Sequence, residues 1–303
     1  MTECERILEK GILPSSFFEA EIISDYYVDE KRKKIWAIEL DLFIAFCDVC
    51  KKHNLKFWAD GGTMLGAVRH KGFIPWDDDM DIIMPRLDYD KLLEIGPAEF
   101  SSPYFLQTPH TDRNYGYSFA KLRNSNTTCI PSVFMKSDFN HGIHIDIFPL
   151  DKINLDTYDK DRENITEHIM RCSSFMKRNS IELLDERQLH NYNKYFTENP
   201  AVEFDAINDI CSKYKDMQMA YVSNCTNVAL KKERLIWKKE WFEQTRQLEF
   251  ETISIPVPFM VEERLTAQYG DYLALPPANQ RGTWHSNVIW DPDKSYLDYI
   301  LSI

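Results

Sequence analysis

The chain has 303 residues, of which 44% are hydrophobic, and this is enough to bury the core of a globular protein. Its 48 acidic and 36 basic residues give a formal net charge of −12, which argues against a nucleic-acid partner because broad nucleic-acid binding usually needs a basic face. The first residues lack the basic and apolar regions of a signal peptide, and no apolar run reaches the roughly 18 residues of a membrane span.

The first long helical pattern covers Lys33 to His53, where apolar residues recur at helical spacing. Cys47 and Cys50 lie within it as a C-x-x-C pair, a spacing found in zinc and redox sites. No second such pair occurs in the sequence, so we interpret both as buried helix cysteines. Seven cysteines without framework spacing fit a reducing environment, and we expect a cytoplasmic protein that could attach to the inner face of a membrane.

A glycine turn follows this helix. Leu55 to Ala59 predicts a short strand and Thr63 to Arg69 a short helix, with Gly61 and Gly62 between them. Glycine lets the backbone approach a ligand closely, and the start of a helix favours an anion. We therefore predict that Gly61, Gly62 and Thr63 bind the phosphate groups of a ligand.

Four carboxylates, those of Asp77, Asp78, Asp79 and Asp81, come directly before an apolar run that predicts a buried strand. Strand alternation would place Asp77, Asp79 and Asp81 on one face, and Asp78 with Trp76 on the other. Like charges this close repel, and a hard divalent cation such as Mg²⁺ or Mn²⁺ would offset them. The alternative is a solvated acidic loop, which the neighbouring apolar strand disfavours.

A second acid-bearing strand is predicted over residues 141–150, where Ile143, Ile145 and Ile147 alternate with other residues. Asp146 would project from the face opposite the isoleucines, where an acid is costly unless it is paired or binds metal. Taken alone, Asp146 could be an edge or capping residue. With the first cluster it completes a three-carboxylate pattern of the kind that two-metal sites use.

Basic residues near these acids are candidates for binding phosphate. Lys121 and Arg123 lie on a predicted strand from Ser118 to Arg123, and Arg69 and His70 follow the glycine turn. Each could be an ordinary surface charge, and for His70 we favour that interpretation. Because arginine can bind phosphate through two hydrogen bonds, we predict that Arg69 and Arg123 contact it.

The second half of the chain has less specific patterns. Residues 158–221 are mostly helical in pattern, 237–249 predict a further helix, and 253–259 predict an extended connector. The tail is rich in aromatic residues, one or two of which could form a cage for a quaternary ammonium group. We predict an α+β protein with four regions: a lead-in (1–32), a catalytic core (33–151), a mainly helical insert that is the candidate acceptor region (152–258) and a segment that returns to the core (259–303).

These motifs resemble the LicD family, which includes bacterial phosphocholine transferases and, more distantly, fukutin and fukutin-related protein. The resemblance is carried by stretches and single residues that together cover most of 33–151 and about 260–290. They are Phe57–Asp81 with its continuation to Tyr89, Lys121–Thr128, His144–Asp151, Tyr269–Pro277, Arg281 and His285.

The resemblance implies a nucleotidyltransferase-like fold, in which a small mixed sheet is flanked by helices. It implies that Gly61 and Gly62 form a turn before a D-x-D pair. Asp79 and Asp81 would be the D-x-D pair, and Asp146 would be a third acid on a later strand. These three acids would hold the metal and act in catalysis. Further candidates for the site are Asp77, Trp58, Arg281 and His285.

The resemblance also implies Mg²⁺-dependent transfer of a phospho-alcohol group, with phosphocholine as the leading candidate. The donor would be a CDP-alcohol such as CDP-choline, and CMP would leave. The acceptor would be a glycan hydroxyl, which could be lipid-linked, in a cell-surface polysaccharide such as lipopolysaccharide or teichoic acid. Asp146 could also accept the proton of this hydroxyl. Two alternatives stay open: nucleotidyl transfer that releases pyrophosphate, and a non-catalytic module that senses nucleotides.

Overall fold

The computed structural model describes residues 1–282 and 287–300 and shows a mixed α+β fold, which confirms the class predicted from the sequence. The helices within this range are α1 (Glu3–Glu9), α2 (Glu30–His53), α3 (Gly61–Arg69), α4 (Arg86–Glu99), α5 (Tyr158–Met176), α6 (Glu186–Tyr195), α7 (Pro200–Cys211), α8 (Val261–Tyr269) and α9 (Tyr296–Ile300). The strands within it are β1 (Glu21–Ile23), β2 (Tyr26–Val28), β3 (Trp58–Ala59), β4 (Asp81–Pro85), β5 (Tyr104–Gln107), β6 (Ala120–Asn124), β7 (Thr128–Pro131), β8 (Ile143–Ile153), β9 (Tyr221–Ser223), β10 (Trp237–Lys238), β11 (Thr245–Phe250), β12 (Ile253–Pro258) and β13 (Val288–Asp291).

The central sheet is organised around β8, a strand of 11 residues. Ile143, Ile145 and Ile147 alternate along it and are fully buried, as the period-two spacing of β-branched residues predicts. β4 runs parallel to β8, whereas β6 and β9 pair with it in the antiparallel direction at different parts of its length. The sheet has the order β10-β9-β8-β4-β3, with β6 and β5 attached beside β8, so it is mixed, as the family resemblance implies.

Helix α2 packs against the isoleucine face of this sheet and has bounds close to the predicted ones. The Asp29 carboxylate accepts a hydrogen bond from the Arg32 N–H at 2.7 Å and caps the first turn, and Asn54 ends the helix in the left-handed region. Trp36 is fully buried and stacks on Phe73 with ring centroids 4.7 Å apart. Burying a large apolar side chain contributes roughly 1.5–3 kcal/mol, so tertiary packing is what fixes α2 on the sheet.

Helices α5, α6 and α7 fall within the stretch 158–221, for which the sequence predicts helices. The chain then returns to strands, and β9 and β10 extend the central sheet. The prediction of a helix over 237–249 is wrong, because β10, a short 3-10 turn and β11 occupy most of it. β11 forms a hairpin with β12, which accounts for the extended pattern predicted over 253–259. A mainly helical description therefore fits only the first half of 152–258.

The C-x-x-C pair lies within α2, where Cys47 is half-buried and Cys50 is buried, and both thiols are free, as we predict for helix cysteines. Burial raises the pKa of the Cys47 thiol to about 12, which disfavours the reactive thiolate. No helix in residues 1–282 and 287–300 is long and apolar enough to cross a membrane.

Candidate active site

One face of the central sheet brings Asp81, Asp146 and Lys121 side by side. Asp81 pairs with Asp146 across the parallel strands β4 and β8, and Lys121 pairs with Asp146 across β6 and β8. The Lys121 ammonium donates a hydrogen bond to Asp146 Oδ1 at 2.5 Å, and the Asp146 N–H donates to the Met80 carbonyl at 2.8 Å. Cross-strand partners project from the same face, so these three side chains lie opposite the buried isoleucines.

The acid run before β4 is a loop, because the strand begins only at Asp81. Asp77, Asp78 and Asp79 each place a carboxylate oxygen within 4.8 Å of the other two. Asp78 is buried and forms an ion pair with Arg32 at 3.3 Å. The prediction that alternation turns Asp78 away from Asp77 and Asp79 is therefore wrong, because a loop lacks the two-residue period of a strand.

Helix α2 holds this acid loop in place. The Arg32 guanidinium and the Trp36 indole N–H both donate to the Asp77 carbonyl, at 2.9 and 3.1 Å. Glu39 lies about one turn further along the same helical face and is fully buried. Neither of its carboxylate oxygens has a hydrogen-bond partner among the described residues. Burial, followed by the charge of Asp79, holds the pKa of Glu39 well above its usual range, so the neutral acid is favoured.

The glycine turn lets the acids approach the start of α3. This helix begins at Gly61, whose φ of +49° lies in the left-handed region. A Cβ on Gly61 would collide with the Asp81 carboxylate, and a Cβ on Gly62 would collide with the Asp77 carboxylate. The Thr63 hydroxyl accepts a hydrogen bond from the Asp81 N–H at 2.8 Å. The turn therefore positions Asp77 and Asp81, while the phosphate contacts of its own residues stay a prediction.

Burial and crowding oppose the ionisation of these acids. The pKa of Asp81 is held well above its usual range by burial first, and then by the charges of Asp79 and Asp146. The pKa of Asp77 is raised in the same way, by burial and then by Asp79. The pKa of the buried Lys121 is lowered, because its loss of water outweighs the neighbouring carboxylate. Carboxylate groups crowded in this way suit a hard divalent cation, because the cation would favour their ionised forms.

Two arginines lie against Trp76, which is buried. The guanidinium carbons of Arg69 and Arg281 lie 5.8 and 5.2 Å from the indole ring centroid. Their N–H groups donate to main-chain carbonyls at 2.9 to 3.4 Å, and neither forms an ion pair with a carboxylate of the described residues. Burial and these two arginines lower the pKa of His70 to about 4, so its ring is neutral. Arg69 also interacts electrostatically with Asp77, which places this positive charge beside the acid loop.

Arg123 is buried, and its guanidinium bonds protein groups. It donates to the Gln107 side chain, to the Gly142 carbonyl at 2.6 Å and to His144 Nδ1 at 3.2 Å. His144 Nε2 in turn lies 2.7 Å from the Lys121 ammonium. The structure therefore connects Arg123 to the acids through His144 and Lys121, and the direct phosphate contact predicted for it stays a prediction.

Trp58 and His285 are the two further candidates from the sequence. Trp58 is buried in an apolar cluster with Ile83 and Phe242, and its indole N–H donates to the Thr245 hydroxyl at 3.0 Å. His285 lies outside the described residues.

Sequence reasoning missed Glu39, Asp60 and Arg264. A glutamate on the apolar face of α2 is a usable signal for Glu39. Asp60 precedes the glycine turn, its N–H donates to the Asp81 carbonyl at 2.9 Å, and its carboxylate accepts from the fully buried Arg264 guanidinium. Asp60 and Arg264 are 204 residues apart, and no sequence spacing links them.

Comparison with known proteins adds an independent line of evidence. Residues 54–168 match a family model described as LicD/FKTN/FKRP, nucleotidyltransferase domain. The lipopolysaccharide cholinephosphotransferase LicD of Haemophilus influenzae is 26% identical over 260 residues, which cover 81% of this chain and 92% of that protein. An uncharacterized protein of Rickettsia prowazekii is 34% identical over 106 residues, which cover 35% of this chain and 36% of that protein.

Proposed function

We propose that this chain transfers phosphocholine from CDP-choline to a hydroxyl of a lipopolysaccharide glycan in a Mg²⁺-dependent reaction, because residues 54–168 match the LicD-family model. The name of the Haemophilus relative, lipopolysaccharide cholinephosphotransferase, supports both the choline phosphate group and the lipopolysaccharide acceptor. The observation that carries the proposal is the register of Asp81, Asp146 and Lys121 across three neighbouring strands. This register concentrates two carboxylates and an ammonium beside the acid loop, and phosphoryl transfer depends on fixed charges that position and stabilise the transferred group.

Mg²⁺, or Mn²⁺ in its place, would be held by Asp79, Asp81 and Asp146, with Asp77 as a further ligand. The crowded carboxylates of the acid loop and the raised pKa of Asp81 support this assignment, because a cation would offset both. When bound, the cation would neutralise charge on the diphosphate of the donor.

Protein side chains would bind the donor phosphates and accept the proton of the acceptor. Lys121, Arg69 and Arg281 would hold the phosphate oxygens of the donor. Asp146 would accept the proton of the glycan hydroxyl as the hydroxyl oxygen forms a bond to the phosphorus that carries choline. The bond from that phosphorus to the CMP oxygen breaks, and CMP leaves with the bonding electrons. Fixed charges of this kind usually supply the largest part of a catalytic effect.

Separation of the nucleotide products tests this proposal. The protein is incubated with Mg²⁺, a lipopolysaccharide that lacks phosphocholine, and either CDP-choline or CTP. We expect CMP to form from CDP-choline in the same amount as glycan-bound phosphocholine, and EDTA to stop the reaction. Consumption of CTP with release of pyrophosphate would contradict the proposal and favour nucleotidyl transfer. Binding of cytidine nucleotides without any turnover would favour the sensing module.

A further inference from the structure

A cavity of about 350 Å³ opens on the same side of the sheet as Asp146, between the sheet and α5. Four aromatic residues line it: Tyr117, Phe119, Phe134 and Phe148. The rest of its described lining consists of aliphatic, methionine and small polar residues, and none of these lining residues is charged. The described lining of the cavity is therefore neutral, although Phe119 and Phe148 each lie two residues from a charged residue of the candidate site.

The register of the strands places this cavity next to the candidate active site. Phe119 precedes Lys121 by two residues and Phe148 follows Asp146 by two, and Lys121 and Asp146 are cross-strand partners. The rings of Phe119 and Phe148 pack with centroids 4.4 Å apart. Two residues along a strand span roughly 7 Å, so this aromatic pair follows the Lys121–Asp146 pair directly on the same face.

The aromatic faces already attract a positive charge in the protein. The Lys121 ammonium lies 5.0 Å from the ring centroid of Tyr117 and 5.2 Å from that of Phe119. Tyr117 and Phe119 in turn pack with centroids 5.6 Å apart. Since the negative faces of aromatic rings attract cations, the rings that line this cavity are suited to a cationic group.

We propose that this cavity is the alcohol subsite of the donor and that it selects a quaternary ammonium group, with Phe119 and Phe148 as its main contacts. The assignment rests on the proposed function and adds where the choline group binds. A quaternary ammonium has no N–H to donate, so a neutral aromatic cavity can hold it without hydrogen-bond acceptors. A primary ammonium or a polyol would lose its hydrogen bonds to water there without replacing them. The two-carbon linker of phosphocholine matches the short separation between the Lys121–Asp146 pair and the aromatic pair.

Donor selectivity tests this subsite. We compare kcat/KM for CDP-choline with that for CDP-3,3-dimethylbutanol, whose tert-butyl group has the shape of choline without its charge. Wild-type protein is expected to prefer CDP-choline by about tenfold, the range of a cation–π interaction, and Phe148→Leu and Phe119→Leu are expected to bring the ratio close to one. Phe148→Tyr keeps the ring and should keep the preference. Phe18→Leu is the matched control, because Phe18 is also half-buried and lies in the N-terminal segment away from this cavity.

Several outcomes separate this assignment from the proposed function. Equal use of the two donors by wild-type protein, or an unchanged preference in both leucine variants, would overturn the subsite while leaving phosphocholine transfer intact. If wild-type protein turns over no CDP-alcohol, the proposed transfer reaction is contradicted. Calorimetric titration with phosphocholine alone then tests the subsite. A dissociation constant about tenfold weaker in Phe148→Leu than in wild type would then support it. Absence of phosphocholine binding to folded wild-type protein would overturn it.

Discussion

Gly61 and Gly62 determine how closely the carboxylates of Asp81 and Asp77 approach the start of α3. We predict that Gly61→Ala lowers the rate of phosphocholine transfer by roughly 100-fold, because a Cβ would displace Asp81 and small displacements in an active site are costly. The positive φ of Gly61 adds a folding penalty of roughly 1–2 kcal/mol. Transfer assays and chemical denaturation measure the two effects separately.

Gly11 provides the matched control for this substitution. Its φ is +67°, and nothing lies within 4 Å of the position of its missing Cβ. Gly11→Ala should therefore lose a similar free energy of unfolding and retain the wild-type transfer rate. A full rate in Gly61→Ala would show that Asp81 tolerates displacement, and would argue against the proposal that Asp81 is a metal ligand.

Protonation of His141 makes the stability of the protein depend on pH. It is fully buried, its Nε2 lies 3.1 Å from the Ser137 carbonyl, and its Nδ1 has no hydrogen-bond partner among the described residues. Burial, followed by the charge of Arg123, lowers the pKa of His141 to about 3, against roughly 6.5 for an unfolded chain. Below pH 6.5 the unfolded chain binds a proton that the folded protein excludes, so stability falls as the pH decreases from about 6.5 towards 3.

This linkage predicts that His141 alone lowers the free energy of unfolding by roughly 2 kcal/mol as the pH falls from 7 to 5. The free energy of unfolding of His141→Gln should depend less steeply on pH over that interval than that of wild type. His190→Gln is the control, since His190 is exposed on α6. Identical pH dependence in wild type and His141→Gln would show that His141 binds its proton in the folded state.

The face of β8 on which Asp146 lies could be predicted from the sequence, but the contacts around the acids could not. Asp146 follows from period-two alternation, and the structure places it opposite the isoleucines. Strand alternation does not predict the position of Asp78, because Asp78 lies in the loop that precedes β4. Its ion pair with Arg32 joins two separate segments, which local spacing does not encode.

The guanidinium of Arg123 on β6 donates a hydrogen bond to His144 on β8 and so links the two strands. We predict that Arg123→Ala lowers the free energy of unfolding by roughly 2–4 kcal/mol, because Gln107, the Gly142 carbonyl and His144 lose a buried donor. Arg113→Ala, at an exposed position, should change it by less than about 0.5 kcal/mol. Urea denaturation measures both. Normal stability of Arg123→Ala combined with weaker CDP-choline binding would instead support the direct phosphate contact that the sequence suggests.

The elements with strong periodicity were predictable, and those defined by distant pairing were not. α2 and β8 have long regular patterns, and both appear where the sequence predicts them. The stretch 237–249 contains residues that favour helices, but β11 pairs residue by residue with β12, and cross-strand packing overrides such local preference.

The candidate site draws on more of the molecule than the stretch that matches the LicD model. That stretch covers residues 54–168, whereas Glu39 comes from α2 before it and Arg264 and Arg281 come after it. Asp60 lies inside the stretch, and among the described residues its only ion pair is the buried one with Arg264. Local patterns predict the fold class and the face on which Asp146 lies, but the contacts between these three parts of the chain depend on long-range packing.

The most direct test of the account is a transfer assay on wild type and Asp81→Asn side by side, with CDP-choline, Mg²⁺ and a lipopolysaccharide acceptor. Asp216→Asn, the same change at an exposed position, is the control. We predict that wild type and Asp216→Asn release CMP and label the glycan at equal rates, and that Asp81→Asn loses at least roughly 100-fold in rate while keeping its circular dichroism spectrum. Wild-type turnover by folded Asp81→Asn would contradict the account, because the acid at the centre of the proposed site would then be dispensable.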